Sequence, residues 1–126
     1  MRKAVLVAAI VILTPIALSY GVAPARVLPH LMQVDVHTVD EANTMRAVAG
    51  IIFAMIGLFA CGLARESMRL TALYALLAFT GGLSCGRIVS MLVDGVPTAV
   101  PLAYLALEFS TALTVLALLR IHPRDT

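Results

Sequence analysis

LTALYALLAFTGGLSCGRIVSMLV, residues 70–93, is a run of 24 residues in which Arg87 is the only charge. Wound as a helix at about 1.5 Å of rise per residue, it is long enough to cross the ~30 Å hydrocarbon core of a bilayer. Three further runs are of the same kind, at 4–22, 43–64 and 96–119. The first holds no charge, the second none beyond Arg46 at its start, and the fourth only Glu108. Backbone N–H and C=O groups in lipid must be satisfied within the segment, which a helix does. The expected fold is therefore all-α: a four-transmembrane-helix bundle in a single membrane domain, with an outer loop at 23–42.

Composition points the same way. Apolar residues make up 61% of the chain, charged residues 13%, and mean hydropathy is +1.00. A soluble domain, typically about 45–50% apolar, could not hide that much apolar surface at this length. The formal net charge of +2 is too small and too scattered for a nucleic-acid footprint. Two cysteines suggest neither a cluster nor a zinc site, and no cofactor is expected.

The basic residues set an expected orientation. Arg2, Lys3, Arg65, Arg69, Arg120 and Arg124 flank one side of the spans, whereas Arg26 alone, with Asp35, Asp40, Glu41 and Asp94, lies on the other. Basic residues favour the cytoplasmic side, so both termini are expected there. Met1-Arg2-Lys3 and the following apolar run loosely fit a cleavable signal peptide. That run is longer than the usual ~7–15-residue apolar region, so a retained span is the expectation. Pro15 removes a backbone donor inside it and should bend the helix.

Between the first two spans, Thr38-x-x-Glu41 has the spacing of a capping box, placing a helix start near Val39. Upstream, 27–32 is too apolar for a free loop and too short to span. It is expected to lie along the membrane surface or to fold over the outer end of the bundle. His30, Asp35 and His37 match no strong metal motif, and no metal site is assigned.

Polar residues fall on stripes. Thr80, Ser84, Arg87, Met91 and Asp94 recur at helical spacing along the third span, as do Tyr104, Glu108 and Thr111 along the fourth. Arg87 lies about six residues, or ~9 Å, below the outer end of its span, and Glu108 somewhat deeper. An Arg87–Glu108 pair with Arg46 above it is thus geometrically reasonable. Small residues on the second span (Gly50, Ala54, Gly57, Cys61) and the third (Gly81, Gly82, Ser84, Cys85, Gly86) are expected to mark close helix packing.

Residues 82–97, from Gly82-Leu83 through Gly86-Arg87 to Asp94-Gly95-Val96-Pro97, followed by Leu107-Glu108, resemble the bacterial membrane family called domain of unknown function 4345. Asn43-Thr44-Met45-Arg46-Ala47 with Gly50 adds to the resemblance, although Thr44 and Ala49 depart from the family's usual glutamate and aromatic residue. The resemblance implies a four-helix integral protein of a bacterial inner membrane, with Arg46, Arg87, Asp94 and Glu108 as signature polar positions. It implies no activity.

Charge at membrane depth is expensive and is usually kept for packing or function. The pair is therefore either an ion pair locking two helices or a ligand-binding or proton-handling site. The candidate residues are Arg46, Ser84, Arg87, Asp94, Tyr104 and Glu108. A protein that binds an amphipathic or lipid-like ligand is expected first, with membrane lipids as partners. An accessory or assembly subunit docked on a membrane-protein partner or a second copy comes next. A membrane isomerase ranks last, because one carboxylate at depth and no histidine supply no acid–base couple and no catalytic residue can be named.

Overall fold

The computed structural model describes residues 1–121 and is built of helices, with no strand among them. In chain order these are α1 (Arg2–Gly21), α2 (Pro24–Met32), α3 (Val39–Ala64), α4 (Glu66–Val93) and α5 (Ala99–Ile121). α1, α3, α4 and α5 are each long and apolar enough to cross a membrane, which makes this an all-α, multi-pass membrane protein. α5 starts at Ala99 because the preceding turn interrupts the backbone. Gly95 there has φ +102, a conformation that side chains disfavour, and Pro97 offers no N–H to a helix.

The region expected as an outer loop holds a helix of its own. Pro24 opens α2, where a missing N–H costs nothing, and Gln33 ends it in the left-handed region at φ 56. Leu28, one helical turn above Met32, is fully buried, and the Tyr20 hydroxyl donates to the Met32 sulfur at 3.1 Å. α2 therefore folds over one end of the bundle, touching α1, α3 and α5.

α3 begins on the expected capping box. Thr38 Oγ1 accepts from Glu41 N at 3.1 Å, while Glu41 Oε2 accepts from Thr38 N at 2.9 Å and from His37 N at 2.7 Å. Thr38→Ala should cost about 1 kcal/mol, seen as a lower unfolding midpoint in detergent, with Thr38→Ser close to wild type. An unchanged midpoint for the alanine variant would show that the cap contributes nothing.

Neighbouring helices run antiparallel. Gly21, at the end of α1, lies against Ala49 early in α3, and Gly62, near the end of α3, lies against Leu6 and Ala72. α1 packs chiefly on α3, α3 on α4, and α4 on α5, whereas α1 and α5 touch only sparingly. The main core joins Leu6, Phe59, Leu73, Leu76 and Val115 at the end remote from α2. Packing is thus dense at the basic end and looser toward α2, along the α1–α5 seam.

The small-residue faces do not play the part expected of them. Cβ atoms placed on Gly50, Gly57, Gly81, Gly82 or Gly86 would meet open space. Close approach occurs instead at Gly62, where an added Cβ would lie 2.5 Å from Ala72 Cβ. A single residue, Arg65, links α3 to α4, so their axes are closest near that link and only a hydrogen fits there.

Candidate functional site

The α4 and α5 polar stripes meet at Arg87 and Glu108. Arg87 Nε donates to Glu108 Oε2 at 2.8 Å and Nη2 donates to Oε1 at 3.1 Å, a two-point guanidinium–carboxylate pair. The Glu108 side chain is only 13% exposed and that of Arg87 30%, before any lipid covers them. Tyr104, one turn before Glu108 on α5, places its ring 5.6 Å from the Arg87 guanidinium carbon, within cation–π range. Charge, fork geometry and ring stacking thus all fix the guanidinium.

Two cavities border Glu108, besides a smaller one at Arg87 next to Pro97 and Pro101. One, of about 240 Å³, has Arg87, Glu108, Tyr104 and Tyr20 among its walls, with Met32 of α2 and Ile52 of α3. The other, of about 260 Å³, lies between α1, α4 and α5. It runs from Tyr104 and Glu108 down to Val5 and Thr114. Ten residues of α5 separate its ends, about 15 Å at 1.5 Å per residue. Glu108, Tyr104, Leu83 and Phe79 border both spaces.

The longer cavity is apolar despite the hydroxyls beside it. Thr80 donates to Leu76 O at 2.8 Å, Thr111 to Leu107 O at 2.7 Å and Thr114 to Ser110 O at 2.8 Å. Each of these threonines gives its proton to its own helix. The first space, the head cavity, sets the charge pair and two phenols in otherwise apolar walls, and it shares several of those walls with the longer apolar space.

A family model described as "Domain of unknown function (DUF4345)" matches residues 1–119. The chain belongs to that family. No curated protein and no solved structure matches it.

The remaining candidate residues of this DUF4345 protein lie around the pair rather than in it. Arg46 is exposed on α3, borders none of the cavities described above and forms no ion pair among the described residues. It does not stand above the pair, because α3 turns Val48, Ile51 and Ile52 toward the cavity and Arg46 away. Asp94 is exposed at the end of α4 and accepts from Ser90 Oγ at 2.9 Å, closing its own helix end. Ser84 is buried, and its Oγ has no hydrogen-bond partner among the described residues. In the α2–α3 link His37 Nε2 and Asp35 Oδ2 are 4.0 Å apart, and no metal-binding group of three or more His, Cys, Asp or Glu residues forms among the described residues.

Tyr20 is the wall residue that sequence reasoning missed. α1 carries no polar stripe to mark a face, so only its neighbours reveal that Tyr20 closes the head cavity. The available signal was its place near the end of a span without charge, at the end of the bundle that carries Asp94.

Proposed function

We propose that this DUF4345 protein binds an amphipathic, lipid-like molecule, its polar head beside Arg87 and Glu108 and its apolar tail between α1 and α5. The observation that carries this reading is the head cavity of about 240 Å³ at the ion pair, adjoining the apolar cavity of about 260 Å³. A pair serving only to lock α4 to α5 needs no such space beside it. The sparing contact between α1 and α5 supports entry from the bilayer at that seam. With its basic ends toward the cytoplasm of a bacterial inner membrane, the head would sit in the outer half of the bilayer.

A second reading, docking onto another membrane protein, is favoured by the open glycines of α3 and α4. Gly50 and Gly57 on one helix and Gly82 and Gly86 on the other leave room for a foreign helix to come close. The ligand reading ranks first because it accounts for the charged pair, which the open faces leave unexplained.

Native mass spectrometry of gently solubilised protein tests both. Wild type is expected to retain one amphipathic molecule enriched over the surrounding lipid. Glu108→Gln breaks the two-point pair that holds the Arg87 guanidinium in place and unbalances the charge beside the head, and Ala8→Phe fills the apolar cavity that Ala8 borders without touching the pair. Both variants should lose the molecule. Wild type carrying only bulk lipid would overturn the proposal, and a stoichiometric foreign chain in its place would promote the second reading.

A further inference from the structure

The head cavity is rich in donors and electrically balanced. Arg87 spends Nε and Nη2 on Glu108, leaving Nη1 with no acceptor among the described residues. The Tyr104 hydroxyl has no hydrogen-bond partner there either, and neither atom is among the sealed polar atoms of the protein. Tyr20 donates only to a thioether sulfur, a weak acceptor easily exchanged for oxygen. Three side chains around one space therefore have hydrogen-bond donors to offer.

Charge narrows the choice of partner. Arg87 and Glu108 are the charged residues that border these cavities, and in their two-point pair they cancel. An anionic head would leave a net negative charge in a poorly solvated site, and a cationic head a net positive one; both are costly at membrane depth. An oxygen acceptor without charge takes the free donors and leaves the balance intact.

Building on the lipid-binding reading, we infer that the preferred ligand carries an uncharged carbonyl head, of ketone, ester or quinone type, on a long apolar tail. The carbonyl oxygen accepts from Arg87 Nη1 and Tyr104, and the tail follows the α1–α5 seam.

The test uses the full chain in phosphatidylcholine nanodiscs. The protein has three tyrosines and no tryptophan, so in Tyr74→Phe the tyrosine emission comes from Tyr20 and Tyr104 alone. Tyr74 is exposed and borders neither cavity. Titrations compare lauryl methyl ketone, laurate at mildly alkaline pH and dodecane. The ketone should bind at least about tenfold more tightly than laurate, which brings an uncompensated charge. Adding Tyr104→Phe should weaken the ketone by about 2–10-fold, the worth of one neutral hydrogen bond, and leave dodecane unaffected. Laurate binding as tightly as the ketone, or a ketone indifferent to Tyr104→Phe and no better than dodecane, would overturn the carbonyl assignment while the lipid-binding reading survives. Failure of all three probes to bind would overturn both.

Discussion

Glu108→Leu is expected to destabilise the protein by about 3 kcal/mol, because it strands a guanidinium that two hydrogen bonds and an opposite charge now satisfy. Arg87→Met should cost less. A carboxyl without a partner can discard its charge by binding a proton, whereas a guanidinium stays charged at any accessible pH. The stranded arginine has to bend toward the nearest polar region, giving up its place over Tyr104. Combining the two changes should return stability to within about 1 kcal/mol of wild type, since a well-packed apolar pair can replace a desolvated ionic one without loss. Equilibrium unfolding in mixed detergent micelles reads all three. Single variants as stable as wild type would show that the pair holds nothing together. The double variant also separates the two roles of the pair. A pure lock would be replaced without consequence, but a binding site would fold and lose its ligand.

Much of this architecture is written in residue type and spacing. A helix is the sole inexpensive form for an apolar run of span length, so four runs gave four spans. The meeting of Arg87 and Glu108 was legible for a related reason. Each is the lone charge of its apolar run, and each has few alternatives to the other. What spacing along one helix cannot supply is the order of helices around the bundle. Arg46 and Tyr20 show this in opposite directions. Arg46 has the charge and the depth to join the pair, yet α3 presents a different face. Tyr20 lies on a helix with no polar stripe and still borders the head cavity. The α2 segment was legible in hydropathy but not in conformation. Pro24 occupies a first-turn position where a proline is harmless, and α2 continues through Pro29.

The glycines carry the same lesson and lead to the second large effect. Gly62→Leu is expected to prevent stable folding, while Gly82→Leu leaves the unfolding midpoint nearly unchanged. Sequence marks the two alike, as small residues in apolar helices. In the fold, a Cβ on Gly82 would meet nothing within 4 Å, whereas one on Gly62 would lie 2.5 Å from Ala72 Cβ and 3.3 Å from Leu6 Cδ1. Leu6 could rotate aside, but Ala72 has no rotamer to change, so relief must come from the backbones of α3 and α4. Their single-residue link leaves little freedom for them to part. Gly62→Ala alone should therefore cost about 1–3 kcal/mol, the usual penalty for overpacking, and a leucine considerably more. Ala72→Gly in the Gly62→Ala background should recover part of the loss by removing the methyl that collides. Recovery by that exchange distinguishes a steric cause from a change in helix propensity, since glycine at position 72 would by itself weaken α4. Equal midpoints for Gly62→Leu and Gly82→Leu would mean that α3 and α4 do not meet at this point, and the placement of the core beside it would fall with that contact.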